Sequence, residues 1–516
     1  MRINRNFFLI IYSYISHYFY PHAYTHNLIL LILGLIFFFY FFKFNFSSNL
    51  LITIIVFSII LVGLIIFKTH DDFPYYHFPY TYYLTQNPIV LGIGKLNHGF
   101  RTPSSIFYLN SLFYLPFIKY YLFHTAAALI LGFTNIILIS SIFKKLNNKE
   151  YNYLFFLKLL SLAFINIFFY RLQEHGTDRS AQILILLFII ELFDFKEKNS
   201  TFEFQITKLF ILLGLIISLK SFYLLYLIFA FPTIYYLVID GKLKYFKSIF
   251  KNIFFYFFIL LVVLILSSYF FNTGCLVYPI SFTCFENFDW SISIKEVERM
   301  NVHYENWSKA GAGPDFQVNN QEYYIQKFSW VGNWIDRYFF NKVSDFLIGL
   351  IFLQLIFFLF FYNKNYIKKL ENKKIKLFYI TILVLFFEWF YNHPALRYGG
   401  YSLIALLFFI PTSIYLEKYI PKKNFNLKVY TIISLIFLIF IGRNINRIIY
   451  EVDSYKFKPF TNVFHYIDDS HFRIEKNLKK IKENSKNCEM SNKYCERNSN
   501  LLMKKIMNRY VIFTNK

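Results

Sequence analysis

Charged residues are scarce in this 516-residue chain, at 16% of positions, where soluble domains run nearer a quarter. Proline (13) and glycine (17) are also few, which leaves little material for linkers. Acids are the scarcest charge, 30 against 54 basic residues, for a net charge of +24. The chain has no Walker loop, no dinucleotide glycine motif, no nucleophile elbow and no zinc-protease helix. Apolar runs recur through most of the length, which excludes disorder, collagen and a coiled-coil rod.

What fills the chain instead is hydrocarbon and aromatic surface. Hydrophobic residues make up 56%, with 70 Phe and 44 Tyr, and the mean hydropathy is +0.41. These values describe an all-α, polytopic membrane protein. Runs long enough to span a bilayer predict helices near 28–43, 49–67, 121–143, 153–170, 181–195 and 208–219. Others are predicted near 222–239, 252–271, 346–362, 376–391, 401–416 and 427–441. A weaker run at 7–24 is interrupted by His17 and His22 and is followed by no cleavage signature.

The basic excess has a position. Loops near 144–150, 194–208, 240–252, 362–376 and 417–428 carry 20 Lys and no Arg, whereas the short loops at 171–180, 219–222 and 392–400 carry four basic residues. The positive-inside rule puts the Lys-rich loops in the cytoplasm, and nucleic acid is not needed to explain the charge. The alternation leaves 68–120, 272–345 and the tail from about 442 outside, and requires an odd number of spans before residue 68. All four cysteines fall in these outer segments, as Cys275/Cys284 and Cys488/Cys495. In an oxidising compartment they read as two short-loop disulfides. Zinc is disfavoured, since no His lies at ligand spacing from either pair.

Three polar clusters share the outer face. The first, Lys68-Thr69-His70-Asp71-Asp72-Phe73-Pro74-Tyr75-Tyr76-His77, puts two carboxylates at the lip of a span, where acids are costly and mark function by default. A solvated interfacial turn is its bland alternative. The stretch 73–120 that follows is broken by Pro74, Pro79, Pro88, Pro103 and Pro116, and reads as short amphipathic helices in the interface. Within it, Arg101 is a phosphate ligand or a residue snorkelling to headgroups. The second cluster, Arg171-Leu172-Gln173-Glu174-His175-Gly176-Thr177-Asp178-Arg179, is dense enough to organise a charged ligand or to close on itself as a salt-bridged turn. The third is Asn392-His393-Pro394-Ala395-Leu396-Arg397-Tyr398-Gly399-Gly400-Tyr401, with Lys220 as an isolated fourth charge. The chain has 41 Lys and 13 Arg, yet Arg101, Arg171, Arg179 and Arg397 all sit in outer clusters, which favours fork geometry over mere charge. Four of the five Trp lie in 272–345, a platform for sugar rings or for a lipid interface.

This arrangement resembles the GT-C superfamily of membrane glycosyltransferases. The resemblance covers about 1–441 and implies a bundle of about 12–13 transmembrane helices with interfacial helices in the first large outer loop. Asp71 and Asp72 stand where that family keeps its catalytic acid. The turns Glu174–Arg179 and His393–Tyr398 look like its donor-phosphate elements. The resemblance implies transfer of a sugar from a polyprenyl-phosphate donor to a lipid, glycan or protein acceptor. One of the two Asp would accept the acceptor proton; His70, His77, Arg101, Glu174, His175, Asp178, Arg179, Lys220, His393, Arg397 and Tyr398 would bind substrate or phosphate. A lipid-linked donor also fits the lack of nucleotides outside the membrane. No cofactor is implied, with a divalent metal left open, and the implied location is a bacterial inner membrane. The tail, 442–516, is expected to be a small helical cap on the outer face stapled by Cys488–Cys495. Two other readings remain: an O-antigen ligase or polymerase using Arg and His of 272–345, and a lipid or solute transporter using Glu191 and Glu388 in the spans.

Overall fold

The computed structural model describes residues 2–44, 48–197, 202–241, 244–313, 316, 318–363, 375–419, 424–459, 467–490, 501–506 and 509–514. Helix accounts for 76% and strand for 4%, so the chain is helical throughout with one small sheet. Before the first outer loop come α1 (Arg2–Phe19), α2 (Tyr24–Phe44) and α3 (Ser48–Leu64). The loop holds a π-helical turn (Phe73–His77), α4 (Phe78–Gln86), β1 (Val90–Leu91) and α5 (Ser105–Ser111). Then follow α6 (Thr125–Asn147), α7 (Tyr153–Ile167), α8 (Gly176–Glu197), α9 (Phe202–Leu219), α10 (Ala230–Ile239), α11 (Lys244–Ile249) and α12 (Ile253–Thr273). The second outer loop contains α13 (Ile294–Lys309), α14 (Gln321–Tyr324) and α15 (Val331–Trp334), with a second π segment (Ile335–Val343) leading into α16 (Ser344–Phe361). The chain ends with α17 (Lys376–Asn392), α18 (Gly400–Leu416), α19 (Phe425–Tyr455), α20 (Arg473–Met490), β2 (Leu501–Ile506) and β3 (Arg509–Thr514).

Every stretch expected to span is helical. Among the described residues, six helices are long and apolar enough to cross a membrane: 125–147, 202–219, 221–239, 253–273, 331–361 and 425–455. Four shorter apolar helices accompany them, at 24–40, 50–64, 153–167 and 400–416. Burial separates two kinds of apolar helix. All of α7 from Tyr153 to Asn166 is buried, packed between α6, α8, α18 and α19. By contrast α2, α12 and α16 leave Ile29, Phe37, Val263, Ile348 and Phe352 exposed. A belt of exposed Phe, Ile and Leu on the periphery is what hydrocarbon surroundings require of a surface. The protein is a mostly helical, multi-pass membrane protein.

Two expectations are corrected. Helix α5 is buried along its whole length against α1, α6 and α9, so this part of 73–120 is core and not interfacial surface. The tail is not a purely helical cap. Helix α19 crosses residue 441 unbroken to Tyr455, and after α20 the chain forms a β2–β3 hairpin whose β3 pairs in parallel with β1, Val90 opposite Tyr510. The tail is fastened to both large loops, through Lys504–Asp289 (2.5 Å), Asn87–Glu475 (2.6 Å) and Lys95–Thr514 (3.1 Å). The described parts of the tail and of the two large loops, α5 apart, therefore pack together as one lobe. Cys275 and Cys284 are bridged, and Cys488 is disulfide-bonded; Cys495, its expected partner, lies outside the described residues, as do most of the Lys-rich stretches at 364–374 and 420–423.

Candidate active site

Four charges from four distant parts of the chain meet where this lobe joins the bundle. Asp72 ends the stretch after α3, just before the first π turn. Asp178 lies in the first turn of α8, where the helix dipole favours an acid. Lys220 follows the last residue of α9, and Arg397 sits in the 3-10 turn Leu396–Tyr398 before α18. Arg397 donates from Nη2 to Asp72 Oδ2 (2.7 Å) and from Nε to Asp178 Oδ2 (2.8 Å). Lys220 Nζ donates to the other oxygen of Asp178 and lies 4.2 Å from the centroid of the Tyr398 ring. The guanidinium is flanked by the Trp307 and Tyr398 rings at 5.4 and 5.8 Å.

The backbone under Arg397 is held from four directions. The indole N–H groups of Trp334 and Trp389 donate to the carbonyls of Pro394 and Ala395, both at 3.0 Å. Tyr338 Oη accepts from the Leu396 N–H (2.8 Å), and the Gln182 amide donates to the Arg397 carbonyl (3.1 Å) while accepting from Ser402 N–H (3.0 Å). Gly399 then turns the chain at φ +111°, a conformation that needs glycine. Gly176 does the same at φ +50°, and a Cβ there would meet the His77 ring at 2.9 Å.

Burial and charge set the protonation states. Burial works against the Asp72 carboxylate, but Arg397 and His70 outweigh it and hold its pKa below the usual carboxylate range. Asp178, more deeply buried, is held lower still by Lys220 and Arg397. Burial lowers the Lys220 ammonium despite Asp178. His70 accepts from the Asp72 N–H at Nδ1 (3.0 Å), and burial and Arg397 lower its pKa. Its ring lies parallel to His77, 6.0 Å away. Burial takes His77 to about 3, and its Nε2 has no hydrogen-bond partner among the described residues. The site thus holds two carboxylates, two cations and neutral imidazoles.

A cavity of about 320 Å³ opens beside this cluster. Asp72, Lys220, Arg397, Tyr398 and His393 line its charged end, and Phe222 and Trp307 add rings. Neutral groups line the cavity too: Tyr75, His98, Tyr278, Asn301, His303 and Tyr304. Asn301, Tyr304 and Trp307 come from α13 at successive i, i+3 positions, a spacing that makes each the surface neighbour of the next on the helix. Burial lowers His393 to about 4.

Several expected ligands are elsewhere. Asp71 is exposed and does not line the cavity, so only one of the two adjacent acids reaches it. Arg101 is bound to Glu296 (3.1 Å), Tyr278 Oη (3.0 Å) and the Gly94 carbonyl (3.0 Å), leaving it a structural tie under the second outer loop. Glu174 and Arg179 belong to a separate network, in which Arg447 bridges Glu174 (3.0 Å) and Glu451 (2.7 Å). Glu451 accepts from the N–H groups of Phe67 and Lys68, so this network fixes the root of the acidic segment. His175 is buried against the Phe169 carbonyl at 2.6 Å. Residues that sequence reasoning missed are Gln182, Tyr338, Asn301, Tyr304, Arg447 and Glu451. The last two were signalled by their i, i+4 spacing and Gln182 by its polarity within an apolar run. Among the described residues, no group of three or more His, Cys, Asp or Glu is arranged to hold a metal ion.

The family described as "Domain of unknown function (DUF8201)" matches residues 6–404, a stretch that includes every charged residue of the site. The chain belongs to that family. No curated protein and no solved structure matches it.

Proposed function

We propose that the cavity is the active site of an integral-membrane glycosyltransferase, moving a sugar from a polyprenyl-phosphate donor to a lipid, glycan or protein acceptor. In this reading the bundle is GT-C-like, with about 12–13 spans, and the lobe faces the periplasm from a bacterial inner membrane. The observation that carries the reading is one wall on which a carboxylate, Asp72, stands beside two cations, Lys220 and Arg397. Rings of Trp307, Tyr304 and Tyr398 complete a surface suited to a sugar.

The chemistry follows from those groups. The acceptor hydroxyl gives its proton to Asp72 while its oxygen bonds to the anomeric carbon. The bond from that carbon to the phosphate oxygen breaks, and the phosphate leaves with the electron pair. Arg397 and Lys220 stabilise the charge that develops on it. Attack opposite the leaving group inverts the anomeric centre.

The test is transfer of radiolabelled sugar from polyprenyl phosphate in membranes with wild type, Asp72→Asn or Asp71→Asn at matched expression. Loss in the Asp72 variant with Asp71→Asn active supports the reading; full activity in both removes it. A second reading, a ligase-type enzyme using His of the long outer loop, is favoured by His303 on the cavity wall. It predicts that His303→Ala, not Asp72→Asn, abolishes transfer. Absence of transfer from every donor tried would favour a transporter, which should then depend on Glu191 and Glu388.

A further inference from the structure

Both cations of the site are neutralised by carboxylates of the chain itself. Lys220 has Asp178, and Arg397 has Asp178 and Asp72. The Trp307 and Tyr398 rings lie together on one side of the guanidinium, 5.4 and 5.8 Å from it and 5.8 Å from each other, and its Nη2 is bonded to Asp72, which lines the cavity. An anionic phosphate entering here adds negative charge to a balanced cluster, next to a carboxylate that already holds its best donor. It gains the Nε/Nη2 edge of Arg397, the edge the two carboxylates share, only if a carboxylate leaves.

The two carboxylates are not equally able to leave. Asp178 is 8% exposed, held by Lys220 and Arg397 together, and lies behind the cavity wall. Asp72 is 28% exposed, holds Arg397 through one oxygen, and lies on the wall at the mouth of a π-helical turn. We propose that Asp72 is a latch on Arg397: it occupies the phosphate-binding edge of the guanidinium until an incoming phosphate group displaces it. The inference rests on reading the cavity as a polyprenyl-phosphate site and names how that site is regulated. Displacement takes from Asp72 the cation that keeps it weakly basic and sets a phosphate anion beside it, so its affinity for a proton rises. The base becomes competent only after the donor is seated, and an acceptor, or water, that arrives before the donor finds it latched.

A competitor and a ligand make opposite predictions on removal. Binding of a long-chain polyprenyl monophosphate to the full-length protein in nanodiscs is compared with binding of the uncharged polyprenol. Asp72→Asn should tighten phosphate binding on the order of tenfold and leave the alcohol unchanged. Unchanged or weaker phosphate binding in Asp72→Asn overturns the latch while leaving the donor reading intact. Wild type that fails to prefer the phosphate over the alcohol overturns the donor reading itself. Should Asp72→Asn not insert, hydrogen exchange on wild type decides: the phosphate should raise exchange at residues 70–73 and lower it at 396–399. No change at 70–73 refutes displacement.

Discussion

Arg397 and Asp178 face each other at 2.8 Å, Nε to Oδ2, across 219 positions of sequence. Asp178 also takes Lys220, so one buried carboxylate organises both cations of the cavity. Removing it should leave Lys220 without its carboxylate beside an Arg397 that keeps only Asp72. Asp178→Asn is expected to lower stability by about 3–5 kcal/mol, the range for breaking a buried pair. Adding Lys220→Met should restore part of that loss. Melting of the single and double variants in detergent measures both, and a double variant no better than the single one would deny the shared role.

The two adjacent acids should separate cleanly in function. Asp72→Asn is expected to reduce transfer by about 100-fold or more, the range for loss of a general base. Asp71→Asn, which alters an exposed side chain, should stay within about twofold, as surface substitutions do. Initial rates at matched expression make the comparison.

Acid should weaken the fold before it titrates the carboxylates. His77 and His175 are neutral and buried, with burial bringing each to about 3, against about 6.5 when unfolded. Between those values the unfolded chain binds more protons than the folded one, so stability falls as pH falls from about 6.5. The depressed carboxyls of Asp72 and Asp178 act lower: their contribution is complete above about 3.9 and is lost as pH drops through their folded values. Melting temperature should therefore decline from pH 7 to 5, and less steeply in His77→Gln. Parallel slopes would reject the assignment.

Reduction should reach the cavity through its wall. The Cys275–Cys284 bridge, nine residues apart, encloses Tyr278 and Pro279, both of which line the cavity. Replacing both cysteines by Ser should lower stability by roughly 2–3 kcal/mol, the chain-entropy value for so short a loop. Because Arg101 donates to Tyr278 Oη, transfer should fall as well. Calorimetry with and without reductant tests the first effect and a transfer assay the second.

Much of this site could be read before any coordinates, and the reason is sidedness. Asp72, Asp178, Lys220 and Arg397 lie in four separate turns that the charge alternation of the loops assigns to one face, and a polar turn at the end of a helical bundle has few places to go. What stayed hidden was pairing. Nothing near Arg101 shows that Glu296 binds it, and nothing near Glu174 shows Arg447, because both partners come from remote segments. The choice between Asp71 and Asp72 was equally invisible, since adjacent residues differ only in the direction the π turn gives them. Strand β1, two residues long, carries no periodicity and exists only because β3 lies beside it.

The sheet also sets an order of assembly. Val90 opposes Tyr510, so the sheet beside the acidic segment closes only after residue 510 has been made and has reached β1. The same late-arriving tail covers the π turn next to Asp72, with His471 against Phe73 and Phe78, and Arg473 over Tyr75. A nascent chain stalled before residue 467 would have its bundle inserted but its acidic segment uncovered. Docking of β3, whose Tyr510 lies 420 positions after Val90, is therefore a late step in building the candidate site.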